Sequence, residues 1–505
     1  MRPTYRHPRA RDYLAPGGAW DAPSLDAHVT DAARRARGEI PVDESAGVRL
    51  IGPGLDARVG ALAGGLRAAG VRRGDVVAWQ TPNWYEAVVL FRACWRLGAV
   101  AGPVHHLAGT ADVERMLAVL DPRIWLAREE VRGAGSRFEK LLDAGSGAAV
   151  TRSAARPSDL AVVLFTSGSS GSPKAALHTQ RGLAYKARVM IEVHRLKPRD
   201  AILMPAPLAH ISGLLNAVLV PGVLPMRAHL MERWLPDRAV DVIADERITF
   251  MIGPPTFFVA LMDTPAFVPE KVASLRLVSS GGAGVTPAFV DEASARLGAR
   301  VKRTYGSTEA PTITSSTPRD SARRARETDG RTTGVAELRV ADPVTGRERA
   351  TGDPGELWVR GPELFAGYAV AEQTRAAVAR GWFRTGDLAT VDADGRLTIV
   401  GRIKDVIIRG GENISSAEVE GVLEAHPLVR QAVAVGYPDA RLGERVCAFV
   451  VASGPFDVDA CRAWFEAQGV ARFKTPERIV RVDELPLLAA GKADRAALRD
   501  RAATL

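Results

Sequence analysis

The sequence predicts an α/β protein: a large N-terminal part of helix-covered, largely parallel sheets, then a β-rich subdomain, then a small α+β unit. Three observations predict it. Short apolar runs suited to buried strands (76–79, 99–104, 161–165, 202–204, 250–252 and 275–278) alternate with segments of helical periodicity. From about Ala336 the texture changes to short alternating strands, 337–340 and 356–360, divided by turns such as Gly352-Asp353-Pro354-Gly355. Near the C-terminus a Ser415/Glu418 capping box opens a helix with Val419, Val422 and Leu423 on one face, followed by strand-like runs 432–435 and 446–451. A chain of 505 residues is too long for one ordinary core, so two or more domains are expected.

Taken in order, the first forty or so residues carry little signal and 35–49 reads as a loop, with order beginning near Leu55. Val59, Leu62 and Leu66 recur at helical spacing, Gly70 stops that helix, and Gly74-Asp75 turns into the strand at 76–79. The segment 84–97 reads as an amphipathic helix. After the apolar run 161–165 comes a loop of small hydroxyl and glycine residues that ends at Lys174. Such a loop suits phosphate: Gly168 and Gly171 let backbone N–H groups approach, Thr166, Ser167, Ser169, Ser170 and Ser172 add donors, and Lys174 adds charge. A flexible linker would be flanked by polar sequence, whereas apolar runs flank this loop on both sides. It is not a Walker A loop either, since Pro173 precedes the lysine and Ala175 stands where a magnesium-holding Ser or Thr is required. Thr179 is placed to cap the next helix.

Composition excludes several classes. An apolar fraction of 46% with 25% charged residues is that of a folded globular protein, not a disordered one. The net charge of +9 comes from scattered residues, and the dense basic run 319–327 is interrupted by acids and lacks aromatics, so it reads as a solvated surface loop or helix and nucleic acid is not expected as a partner. Cys94, Cys447 and Cys461 are odd in number and unclustered, which points to no disulfide framework, no thiolate metal site and a reducing compartment. The N-terminus has no apolar signal region, and Pro221 and Pro225 break the most apolar stretch, 214–226. A cytoplasmic protein is expected, with peripheral membrane contact left open. The adjacent His105 and His106 have poor spacing for one metal and read as a loop edge.

The string Thr166-Ser167-Gly168-Ser169-Ser170-Gly171-Ser172-Pro173-Lys174-Ala175 resembles the signature loop of the adenylate-forming (AMP-binding) enzyme superfamily, in particular its acyl-CoA synthetases. Further family motifs follow in the family's order. Residues 205–213 (PAPLAHISG) resemble the stretch lining the acyl site, with His210 where the carboxylate meets the adenylate. Gly281-Gly282-Ala283 resembles the loop under adenine, although Gly284 stands where the family commonly has proline. Tyr305-Gly306-Ser307-Thr308-Glu309 matches the motif in which tyrosine stacks on adenine, threonine bonds the α-phosphate and glutamate holds Mg²⁺, with Thr166 as a second metal-side oxygen. In 382–388 (WFRTGDL) the implied ribose acceptor is Asp387; in 401–405 (GRIKD), Arg402 contacts ribose and Lys404 is the hinge. Gly410-Gly411 would border the CoA path, and Gly491-Lys492 matches the closing motif whose lysine is catalytic.

The resemblance implies an N-terminal domain 1–402 and a mobile C-terminal domain 403–505, and an enzyme that uses ATP, Mg²⁺ and CoA to convert a carboxylic acid into its CoA thioester. Lys492, Glu309, Thr308 and His210 are the implied catalytic residues. By comparison with relatives, Gly306 in place of tryptophan argues against acetate, and no aspartate stands near His210 to hold an amino acid's ammonium. Ala209, Gly282 and Gly306 imply space for a medium- or long-chain, or bulky cyclic, acid. Loading of a carrier-protein thiol and a non-catalytic nucleotide-binding role are the alternatives, and a homodimer is left open.

Overall fold

The computed structural model describes residues 1–166, 173–317, 319–488 and 491–505, and among them forms four sheets. The first sheet runs Ile124–Leu126, Val76–Thr81, Val100–His105, Leu160–Thr166, Lys174–Thr179, parallel except for its last pair. Val76–Thr81 is almost wholly buried, as expected of a strand covered on both faces, and this is why its first four residues read as an unbroken apolar run. The second sheet has nine strands, of which six, from Arg300–Tyr305 across to Glu39–Asp43, run parallel. Helices Gly52–Ala68 and Tyr85–Leu97 share one apolar core with both sheets, through Leu62, Trp79, Phe91, Trp95, Leu164, Ile202 and Phe250.

Two expectations for this part are corrected. The first fifty residues are ordered: Leu25–Arg35 is a helix capped by Ser24 that buries Leu25, Val29 and Ala33, and Glu39–Asp43 lies parallel to Arg227–Leu230. The loop reading of 35–49 fails because one of that strand's two partners lies far along the chain and its own residues do not alternate. Tyr85–Leu97, in turn, is buried on all sides, with Glu86, Arg92 and Arg96 inside. Two of these charges are met by long-range partners: Arg132 Nε donates to Glu86 at 2.8 Å and Arg96 Nη2 to Asp56 at 2.6 Å. The stretch 214–226 forms a π turn, Leu214–Leu219, running into Val220–Val223, and no helix among the described residues is long and apolar enough to cross a membrane. The basic run holds a Ser321-capped helix, Ala322–Glu327, with Arg323 paired to Glu327 across the exposed surface.

The β-rich part is an antiparallel sheet of Glu337–Ala341, Gly355–Arg360, Trp382–Val391, Val378–Ala379 and Leu397–Arg402. Beyond it a fourth sheet carries its own apolar layers, Ile407, Val419, Leu423 and Phe465 on one side and Val435, Phe449 and Leu498 on the other. Separate cores make this a separate domain. Ser415 caps its first helix through Glu418 N–H, but the Glu418 carboxylate pairs with Lys474 at 2.6 Å instead of closing the box. The small domain touches the large one where Thr256 donates to the Gly491 carbonyl at 2.6 Å and Arg430 pairs with Asp263 at 3.0 Å. Gly491 has φ +75, and a Cβ there would lie 2.6 Å from the Phe257 ring, so only glycine permits this approach.

Candidate active site

Parallel strands collect functional side chains at their C-terminal ends, and Tyr305 ends the strand Arg300–Tyr305. Its hydroxyl donates to Asp387 Oδ2 at 2.6 Å. Asp387 comes from the antiparallel sheet, where it lies opposite Arg402 in register, and Arg402 Nε donates to Oδ1 at 2.7 Å. The Asp387 N–H donates to Thr385 Oγ1, whose own hydroxyl donates to the Leu357 carbonyl. Burial and the neighbouring carboxylate hold the Tyr305 phenol well above its ordinary pKa, so it remains a donor. Residues separated by more than eighty positions thus form one hydrogen-bonded unit.

A second unit surrounds Glu309. The Tyr368 hydroxyl donates to Glu309 Oε1 at 2.6 Å, and Lys174 Nζ lies 5.4 Å from the centre of the Tyr368 ring. Thr166 and Lys174 face each other across the last strand pair of the first sheet, which brackets the hydroxyl-rich loop; Ser167, Gly168, Ser169, Ser170 and Gly171 themselves lie outside the described residues. Beside them His178 Nε2 is 2.9 Å from the Thr308 carbonyl, tying the loop after Tyr305 to the same sheet. Ser307 Oγ accepts from Ala310 N–H, closing that loop on itself. A Cβ on Gly306 would lie 2.3 Å from the Thr312 backbone nitrogen, so the turn itself demands glycine there. Its small size therefore does not measure the acid's room, which corrects one ground for the substrate expectation.

Lys492 joins the two units. A Cβ on Gly282, itself at φ +82, would be 3.3 Å from Lys492 Cε, so this lysine of the small domain rests over the glycine turn that follows the strand Leu277–Gly281, with Ala283 exposed beyond it. Burial, reinforced by the Arg402 charge and partly offset by Asp387 and Glu309, lowers its pKa to about 8. Lys404 sits in a single 3₁₀ turn, Ile403–Asp405, where the chain leaves the antiparallel sheet. Gly410 and Gly411 form the turn of the hairpin Val406–Arg409 and Glu412–Ser415, where Gly410 N–H donates to the Leu442 carbonyl. No contact joins these two glycines to Lys492 among the described residues.

Near enough to feel the Lys492 charge lies His210, whose pKa is lowered to about 4 by burial, Lys492 and His106. His105, at the end of Val100–His105, stacks on His106 with ring centres 4.6 Å apart and lies 5.0 Å from His210. The loop-edge reading of His105-His106 missed this grouping; their place at the end of a parallel strand was the available signal. Tyr368, His178 and Phe257 carry no local pattern that could have flagged them. No group of three or more His, Cys, Asp or Glu side chains among the described residues is arranged to hold a metal. The Glu309 carboxylate, held by Tyr368 through one oxygen, still fits a hard divalent cation that takes its other ligands from phosphate and water.

Fold and site together describe a two-domain chain in which Lys492 of the small domain rests against the large one, beside Gly282 and the charges of Arg402, Asp387 and Glu309. Family comparison agrees: residues 30–369 match the model described as AMP-binding enzyme, and 418–492 the one described as AMP-binding enzyme C-terminal domain. The chain belongs to the AMP-binding, adenylate-forming enzyme superfamily. It is 31% identical to a medium-chain fatty-acid–CoA ligase of Escherichia coli K12, covering 95% of this chain and 91% of that one. It is 32% identical to an indoleacetate–CoA ligase of Aromatoleum aromaticum, over 85% and 89%. Among solved structures, ATP-bound MatB from Rhodopseudomonas palustris superposes with a TM-score of 0.86 at 30% identity, covering 95% of this chain and 98% of that one.

Proposed function

We propose that the protein is an ATP-dependent acid–thiol ligase that makes acyl-CoA from a medium- or long-chain, or bulky cyclic, carboxylic acid. In the first step a carboxylate oxygen attacks the α-phosphorus of ATP, the bond to the β-phosphate oxygen breaks, and pyrophosphate leaves. In the second the CoA thiol, losing its proton, attacks the acyl carbon and AMP leaves with the electron pair of the acyl–oxygen bond. The observation that carries this reading is the convergence on Lys492 of Gly282, Arg402, Asp387 and Glu309. ATP is the nucleotide of the R. palustris structure, and CoA ligation is the activity named for both curated relatives.

The first step must bring two anions together, so electrostatics is its main obstacle. In this reading Asp387 accepts from the ribose hydroxyls, with Arg402 beside them, while Tyr305 and the Gly281-Gly282-Ala283 turn hold adenine. Lys174 and the loop from Thr166 hold the β- and γ-phosphates, with Gly306, Ser307 and the Thr308 hydroxyl toward the α-phosphate. A Mg²⁺ ion at Glu309 and Thr166 would neutralise phosphate charge. Lys492 places its ammonium between carboxylate and α-phosphate, with His210 on the acid side. For the second step, domain 403–505 turns on domain 1–402 about Lys404, withdrawing Lys492 and bringing Gly410-Gly411 to the thiol. Pyrophosphate release across a panel of acids, with and without CoA, tests the proposal. Acid-dependent release with CoA thioester as product supports it; release indifferent to every acid overturns it, and thioester formed only on a carrier protein reassigns the acceptor.

A further inference from the structure

Two unlike groups of side chains lie near the Gly491-Lys492 turn. One is aromatic: Phe257 packs against Gly491, and Trp234 stacks on Phe257 with ring centres 5.0 Å apart and planes 25° from parallel. The other is the imidazole group of His105, His106 and His210. His105 Nε2, His106 Nδ1 and His210 Nε2 are buried with no hydrogen-bond partner among the described residues, as is Trp234 Nε1. Buried polar atoms are rarely left unpaired without a reason, since each costs on the order of 1–3 kcal/mol. His105 also has a fixed tautomer: its Nδ1 accepts the Leu107 N–H at 3.0 Å, so a neutral ring carries its proton on Nε2 and offers a donor there. Burial lowers His105 to about pKa 3, with His210 and His106 adding to the effect, so the ring is neutral at pH 7. A neutral donor beside an ammonium leaves the reacting carboxylate to the ammonium and suits a second, uncharged oxygen.

We propose that the imidazole wall of His105, His106 and His210 makes the acid site selective for a cyclic acid that carries an oxygen substituent, hydroxyl or ether, with the ring lying on Phe257 and Trp234. This rests on the ligase reading above and narrows it. A plain fatty acid would leave all three ring nitrogens dry and unpaired. An oxygenated ring satisfies them on one edge while its face meets the aromatic pair.

The test is acid-dependent pyrophosphate release with acids matched in ring and size and differing by one oxygen: benzoate against hydroxybenzoates, naphthoate against hydroxynaphthoates, cyclohexanecarboxylate against its hydroxy derivatives. The expected result for the unaltered protein is a kcat/KM at least about tenfold higher for one oxygenated member of a pair, because a site built to bond a polar group discriminates against the analogue lacking it. In His105→Phe and His106→Phe the ratio within that pair falls toward one. A merely structural role would lower both members and leave the ratio in place, and that outcome overturns the proposal. So does equal use of both members, or preference for unbranched fatty acids, by the unaltered protein. Release that no acid stimulates would instead overturn the ligase reading itself.

Discussion

The side of the site built by Tyr305, Asp387 and Arg402 and the side built by His105, His106 and His210 treat their polar atoms in opposite ways. On the first, the Asp387 carboxylate, backbone N–H and neighbouring hydroxyls are already bonded within the protein. On the second, three buried ring nitrogens are unpaired among the described residues. A site that meets the same nucleotide in every turnover gains from groups fixed in place beforehand. A site that selects one acid from many gains from groups whose cost is relieved only by the right partner. In the proposed reading, nucleotide binding and acid selection rest on different physical principles within one site.

The sharpest way to break the first half is Asp387→Ala. It removes the acceptor for Tyr305 and Arg402 and both proposed ribose bonds, so ATP affinity is expected to fall by about 10²–10³, with stability lower by about 1–3 kcal/mol from the unpaired buried phenol. Isothermal titration with ATP and thermal melting measure the two effects. Tyr368→Phe is milder: Glu309 loses one hydrogen bond to its charged form, worth roughly 1.5–3 kcal/mol, and pyrophosphate release at fixed Mg²⁺ is expected to drop about 10- to 100-fold. An unchanged rate would detach Tyr368 from the site.

The smallest effect is a pH limb. Burial lowers Lys492 to about pKa 8, so its charged form is complete below that pH and lost as pH rises through it. The kcat/KM for the acid in pyrophosphate release is therefore expected to fall above pH 8, about tenfold per unit. Stability runs the other way: between pH 8 and the ordinary lysine range the unfolded chain binds more protons here, so this group's contribution to stability rises with pH. Activity and melting temperature moving in opposite directions over that window would tie both to one residue, and Lys492→Ala would remove both slopes.

Much of this was legible from local pattern. Several parallel strands, such as Ala201–Met204, are continuous buried apolar runs, and the residues proposed to hold the nucleotide fall in short strings whose chemistry is self-contained, such as Tyr305 to Glu309. The parts that escaped depend on distant partners. The charges of helix Tyr85–Leu97 mimic a solvent face until Arg132 and Asp56 bury them, and strand Glu39–Asp43 exists because Arg227–Leu230 lies beside it. Tyr368 is a lone tyrosine after a glycine, and only the fold brings its hydroxyl to Glu309. His105 and His106 gain meaning only when His210 closes on them.

The claim beneath all of this is that a lysine carried by the small domain serves adenylation alone. Lys492→Ala should be measured in both half-reactions: acid-dependent pyrophosphate release, and CoA thioester formation from supplied acyl-adenylate. A loss of about 10²–10³ is expected in the first with the second largely retained; equal loss in both, or no loss in the first, would contradict that role for Lys492.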